Sequence, residues 1–201
     1  EEQAVKKFEN DFFVSNEKIA LSRETEHNER KILELSRPES FSLYVGIPFC
    51  PSRCSYCSFV MASIERAEKL IEPYTKLLCE EIKRTAEIAN KLGLRLETVY
   101  FGGGTPTTLS AEQLDTVLGT VNKSFDMSTC REFTVEAGRP DTIDIAKLFA
   151  LKENKVDRIS INPQTTNDEV LKTIGRKHTA QQFFDAFELA RKCGFDNINT
   201  D

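Results

Sequence analysis

No stretch of this 201-residue chain approaches the roughly 20 consecutive apolar residues that a membrane-crossing helix needs. The opening run, Glu1-Glu-Gln-Ala-Val-Lys-Lys7, has no apolar core of the kind a secretion signal carries, so the expected location is the cytoplasm. Positive charge is not in excess: 27 Lys and Arg stand against 32 Asp and Glu, a formal net charge of -5. That balance gives no reason to expect nucleic acid or an anionic membrane surface as a partner. Histidine is scarce, and His27 and His178 lie outside any ligand pair. There is no initiating methionine, and the run Phe195-Asp-Asn-Ile-Asn-Thr-Asp201 reads as a strand cut off where the next loop should start. A fragment of a longer chain is therefore the expectation.

What is present is more specific. With 39% hydrophobic and 29% charged residues the chain can bury a core, and its length suits one large domain or two small ones. Three of its six cysteines crowd into one run, Tyr44-Val-Gly-Ile-Pro-Phe-Cys-Pro-Ser-Arg-Cys-Ser-Tyr-Cys-Ser-Phe59. This looks like metal ligation in a reducing compartment rather than a disulfide framework. Cys50, Cys54 and Cys57 have C-x3-C-x2-C spacing. Three sulfurs on one short loop can hold three corners of a [4Fe–4S] cubane and leave one iron open to a substrate. Structural zinc is the alternative, because thiolates suit it and a fourth ligand could come from afar, although zinc sites usually bring two separated ligand pairs. Cys79, Cys130 and Cys193 are scattered and read as small buried apolar residues.

Along the chain, residues 3–36 are charged with spaced apolar positions and read as two helices, a leader or linker over 1–38 that Pro38 closes. The main domain is expected over 39–201. Strands are expected at 41–47, 96–101, 132–137, 158–162 and from 196 onward. Helices are expected at 64–92, from Ser110, at 142–151, at 167–174 and at 180–193. On the long helix Ile71, Tyr74, Leu77, Leu78, Ile82, Ile88 and Ala89 fall near one face. Strand and helix alternate, which implies parallel strands joined by right-handed crossovers. The informative residues follow the strands: the cysteines the first, Gly102-Gly-Gly-Thr-Pro106 the second, Glu136 the third, Gln164 the fourth and Asp201 the fifth. In such folds these points meet at one edge, where ligands bind. The glycine run alone reads as a tight turn, and without a following Gly-Lys-Ser/Thr it is not a phosphate loop.

The cysteine spacing, with the aromatic Tyr56 before the last Cys, resembles the radical S-adenosylmethionine (SAM) enzymes. Further runs are similar to the successive motifs of the oxygen-independent coproporphyrinogen III oxidase family. They are Tyr44-Val-Gly-Ile-Pro-Phe-Cys50, Tyr100-Phe-Gly-Gly-Gly-Thr-Pro-Thr107, Thr134-Val-Glu-Ala137, Arg158-Ile-Ser-Ile-Asn-Pro-Gln164, Ile174-Gly-Arg176 and Asn199-Thr-Asp201. Glu136-Ala-Gly-Arg-Pro-Asp141 is most similar to the coproporphyrinogen dehydrogenase (HemZ-like) branch.

The resemblance implies an α/β fold, a partial (β/α)6 barrel truncated after about the fifth strand. It implies that Cys50, Cys54 and Cys57 hold a [4Fe–4S] cluster and that Gly103, Gly104 and Thr105 contact the SAM amino group. Glu136, Gln164, Arg176 and Asp201, with Tyr44 and Tyr56, would complete the SAM contacts. This fits a ligand carrying a sulfonium, an ammonium, a carboxylate and a ribose, which needs acidic and amide acceptors plus one guanidinium. No residue is assigned as catalytic. The implied reaction cleaves SAM reductively to a 5′-deoxyadenosyl radical, for oxidative decarboxylation of coproporphyrinogen III in heme synthesis. The implied partners are a small-molecule porphyrinogen or heme and a reducing electron donor such as flavodoxin or ferredoxin. The alternative in the same superfamily is a heme chaperone that binds and delivers heme. The oxidases carry a His two residues after the opening tyrosine, and this chain has Gly46 there.

Overall fold

The computed structural model describes residues 2–59 and 61–201, which group into two units, one ending at Ser40 and the other Phe41–Asp201. The first holds helices α1 (Glu2–Asn10) and α2 (Asn16–Leu33), joined through Phe13 in a left-handed conformation, φ 52°. Of its apolar positions Ile19 is buried, while Phe12, Phe13, Leu21, Ile32 and Leu33 are exposed.

The second unit is an α/β domain. A five-stranded parallel sheet runs in the order β1 (Ser40–Ile47), β4 (Arg95–Gly103), β5 (Glu132–Glu136), β6 (Arg158–Ser160), β7 (Asn197–Asn199). Helix α3 (Ile64–Lys91) lies in the chain between β1 and β4, α4 (Ala111–Ser124) between β4 and β5, and α5 (Ile145–Glu153) between β5 and β6. Helices α6 (Asp168–Thr173) and α7 (Ala180–Lys192) come between β6 and β7. Each crossover moves one strand along the sheet in the same direction, as in a winding barrel. All strand exits therefore fall at one edge. In the register Tyr100 pairs with Thr134, Glu136 with Ser160, and Ser160 with Asn199.

The core forms because Val99, Phe101, Phe133, Val135 and Ile159 point off the sheet onto Leu114, Val117, Leu118 and Val121, the expected apolar stripe of α4. Ser110 caps that helix as expected, and Gln113 closes a full capping box. Three expectations are corrected. On α3 the buried stripe is Ala67, Ile71, Thr75, Leu78, Ile82, Ala86 and Ala89, whereas Leu77 is 65% and Ile88 58% exposed. The stripe advances in steps of three and four, and each of these two residues sits about 100° off it. The helix expected from residue 142 starts at Ile145, because Pro140–Thr142 forms a 3-10 turn and Asp144 accepts the Lys147 N–H at 2.9 Å. Finally, Cys79 is buried, but Cys130 and Cys193 are only half-buried. The sequence also hides a two-stranded parallel pair, β2 (Phe49–Cys50) with β3 (Ala62–Ser63), which brackets the cysteine loop. Among the described residues no helix is long and apolar enough to cross a membrane.

Candidate functional site

The cysteine loop leaves β1, is clamped at its root by β2 and β3, and rests on two turns that come from far along the chain. The first is the glycine run. Gly104 N–H donates to the Ile47 carbonyl at 2.8 Å and Thr105 N–H to the Phe49 carbonyl at 2.7 Å. A Cβ on Gly104 would sit 2.5 Å from the Phe49 carbonyl oxygen, so only glycine permits this approach. The second is the turn after α6. Ser55 N–H donates to the Ile174 carbonyl at 3.0 Å, and Ser52 Oγ to the Gly175 carbonyl at 3.1 Å. Gly175 has φ 80°, a left-handed conformation that glycine adopts without penalty.

These contacts turn the three cysteines toward one cavity of about 330 Å3. Cys50 and Cys54 are buried and Cys57 partly so. Of the residues expected to hold the cluster or contact SAM, all but Tyr44 line this cavity: Cys50, Cys54, Tyr56, Cys57, Gly103, Gly104, Thr105, Glu136, Gln164, Arg176 and Asp201. Tyr44 is 60% exposed and stacks on Tyr100, ring centroids 5.9 Å apart, with its hydroxyl beside Gly103.

On one wall Tyr100 Oη donates to Glu136 Oε1 at 2.5 Å. Burial pushes the Glu136 carboxyl above its ordinary range; the Tyr100 hydrogen bond opposes this and the Asp201 charge adds to it. The Tyr100 hydroxyl is pushed up as well, first by burial and then by the neighbouring Glu136 carboxylate. Across the cavity Arg176 Nη2 donates to Tyr56 Oη at 3.1 Å, and Tyr56 Oη donates to Gln164 Oε1 at 2.9 Å. Arg176 Nη1 is spent on the Gly138 carbonyl at 3.1 Å. Burial raises the Cys50 thiol, against a hydrogen bond from Thr105 and the Arg139 charge.

Sequence reasoning missed Asn162 and Arg139, both on the cavity wall. Asn162 Oδ1 is buried without a hydrogen-bond partner, and so is Arg176 Nε. A buried acceptor and a buried donor beside a cavity are the unmet demands a polar ligand would satisfy. Both missed residues lie inside motifs already noted, residues 136–141 and 158–164, and their position just past a strand exit was the available signal.

The donor set suits a cluster. Three thiols from one loop line the same cavity, and thiolates are the ligands that hold iron–sulfur clusters.

A parallel sheet wound one strand at a time, with a C-x3-C-x2-C loop at its carboxyl edge, defines a class, and the comparison with known proteins agrees. Residues 44–201 match the model of the Radical SAM superfamily, and the chain belongs to that superfamily, whose members use a [4Fe–4S] cluster and SAM. More particularly, the chain is 39% identical over its whole length to the oxygen-independent coproporphyrinogen-III oxidase-like protein HemZ of Bacillus subtilis, covering 40% of that protein. It is 40% identical to the heme chaperone HemW of Lactococcus lactis over 83% of the chain and 41% of the relative. The solved structure of coproporphyrinogen III oxidase (HemN) from Escherichia coli, a radical SAM enzyme, superposes with a TM-score of 0.71 at 28% identity, over 80% of this chain and 36% of that one. The chain thus spans about two fifths of the length of these relatives.

Proposed function

We propose that this chain is the cofactor-holding part of a radical SAM enzyme that oxidatively decarboxylates coproporphyrinogen III in heme biosynthesis. The carrying observation is the cavity itself, lined by three thiols of one loop together with Glu136, Gln164, Arg176 and Asp201, each from a different strand exit or turn. Cys50, Cys54 and Cys57 would hold the cluster as thiolates. When bound, the cluster and SAM supply a one-electron reductive cleavage that yields a carbon radical able to take hydrogen from an unactivated C–H bond. The protein's part is to bind, orient and shield. Glu136, fixed by Tyr100, would accept hydrogen bonds from the nucleoside sugar. Arg176, whose Nε lacks a partner, would supply the guanidinium for the amino-acid carboxylate, and Asn162, whose Oδ1 also lacks one, would supply an acceptor for a polar N–H of the ligand.

The test is anaerobic reconstitution followed by electron paramagnetic resonance of the reduced protein. A spectrum that changes on adding SAM reports ligation at the open iron, and an unchanged one contradicts the reading. With a low-potential reductant, 5′-deoxyadenosine should accumulate.

Glu136→Gln makes a second prediction. Its carboxyl is raised in the fold, so its contribution to stability is fully present below the ordinary carboxylate range and is lost as pH rises through the raised value. The variant should therefore melt higher than the parent at pH 8, with the gap closing on acidification. Loss of the charged acceptor should weaken SAM binding by roughly 1.5–3 kcal/mol, about ten- to a hundredfold, at unchanged iron content. Calorimetry of both would reveal a purely structural role if affinity held.

The heme-chaperone reading is favoured by Gly46, which offers no acid where the oxidases carry a histidine, and by the 40% identity to HemW. Supplied with reductant, SAM and coproporphyrinogen, an oxidase yields a vinyl product. A chaperone binds heme and yields none.

A further inference from the structure

Arg139 is a buried cation without a carboxylate at hand. It is 3% exposed, and among the described residues no Asp or Glu oxygen comes within the 4.0 Å of an ion pair. A guanidinium keeps its charge at every accessible pH, and burying one without a counter-charge is strongly unfavourable. What its fork meets is the cysteine loop. Nη2 donates to the Ser52 carbonyl at 2.7 Å and to Cys54 Sγ at 3.2 Å, and Nη1 donates to Ser52 Oγ at 3.3 Å. The backbone is equally fixed. The Arg139 carbonyl accepts from Thr142 N–H at 2.9 Å and Thr142 Oγ1 at 2.8 Å, and Pro140 opens the turn that follows. A residue pinned at its main chain and aimed at a sulfur is built for that contact.

We propose that Arg139 is a positioning residue whose counter-charge is the thiolate-ligated cluster, and that it raises the cluster's reduction potential. The inference rests on the cluster reading given above. Three thiolates on an oxidised [4Fe–4S] core leave a net negative site, and one electron from an external one-electron reductant makes it more negative still. A fixed cation in contact with one ligand sulfur favours the reduced form, and net charge and hydrogen bonds to sulfur are the levers that set such potentials. The same fork ties Ser52 and Cys54 together, so it also holds the loop in the conformation the cluster needs.

The experiment is a redox titration, followed by electron paramagnetic resonance, of the anaerobically reconstituted parent chain, Arg139→Gln and Arg139→Lys, with iron content and thermal melts alongside. Arg139→Gln should lower the midpoint so that, at the parent's midpoint potential, the ratio of reduced to oxidised cluster falls about tenfold, which corresponds to about 59 mV for one electron. Arg139→Lys, which keeps the charge, should recover most of the shift. A midpoint in Arg139→Gln equal to or above the parent's overturns the proposal and leaves the cluster reading intact. Should Arg139→Gln load no iron or lose its fold, Arg139→Lys decides: a loaded cluster with a parent-like midpoint supports the proposal, and no cluster or a tenfold shift overturns it. A parent chain that assembles no cluster overturns both the proposal and the reading beneath it.

Discussion

Replacing any one of Cys50, Cys54 or Cys57 by Ala should drop bound iron from about four per chain to near zero after anaerobic reconstitution. The effect is expected to be complete because the loop offers three thiolates and the other titratable side chains among the described lining residues are Tyr56, whose hydroxyl is held between Arg176 and Gln164, and Glu136, Arg139, Arg176 and Asp201. Glu136 is already engaged by Tyr100, the two arginines are cations, and Asp201 Oδ1 accepts from Asn199 at 3.0 Å. A cluster held by two thiolates leaves two irons open to water and exchange. Cys193→Ala, a half-buried cysteine outside the cavity, is the control and should bind iron like the parent. Full iron in any of the three variants would mean that the thiols do not act as a set. Zinc in place of iron in the parent, held despite ample iron and sulfide, would move the site to the other metal that three thiolates suit.

Much of this arrangement is legible in the sequence, and the reason is physical. Each large strand is a run of β-branched and aromatic residues followed by a glycine, a cysteine or an acid, so the period and the punctuation agree, and parallel winding then brings the exits together. The α4 stripe was readable because Leu114, Val117, Leu118 and Val121 are the only large apolar residues on a polar helix, and all four are fully buried. α3 was misread for the opposite reason. It carries more apolar residues than it buries, and its contact face is built partly from Ala67, Ala86 and Ala89, which let the helix lie close to the sheet but carry little pattern. The β2–β3 pair is two residues on each side, too short for any period. Contacts between distant segments were the least visible. The Ile174–Arg176 turn was marked as a motif, yet its service as a seat for Ser52 and Ser55 depends on a fold that brings residues about 120 positions apart together. Arg139 lies in the run Glu136–Asp141, but nothing in that run says its guanidinium meets Cys54.

Gly104→Ala should be the most damaging glycine substitution at the site, and it separates two explanations of the glycine run. In the ligand explanation, glycines here keep the backbone bare so that a bound molecule can approach. In the geometry described above, Gly104 is bare because another part of the same chain lies against it. A Cβ there would stand 2.5 Å from the Phe49 carbonyl oxygen and 2.8 Å from that of Ile47, both backbone atoms that cannot rotate aside. Relief requires the two strand ends to part, which stretches the hydrogen bonds from Gly104 and Thr105 that now measure 2.8 and 2.7 Å. Overpacking costs about 1–3 kcal/mol and each weakened hydrogen bond about 1, so a loss of roughly 3 kcal/mol or more is expected. Against a domain stability of about 5–15 kcal/mol, that is a large fraction. The same movement draws Thr105 Oγ1 from its 3.4 Å contact with Cys50 Sγ, so iron binding should weaken in step with stability. Gly138→Ala is the matched control on the same cavity wall, because its Cβ would meet nothing nearer than Asn162 Nδ2 at 3.8 Å. Urea melts of the two variants without cluster should therefore differ widely, with Gly138→Ala near the parent. If Gly104→Ala instead melts with the parent and loses only SAM affinity, the glycine serves the ligand, and the Phe49 carbonyl must move aside at little cost.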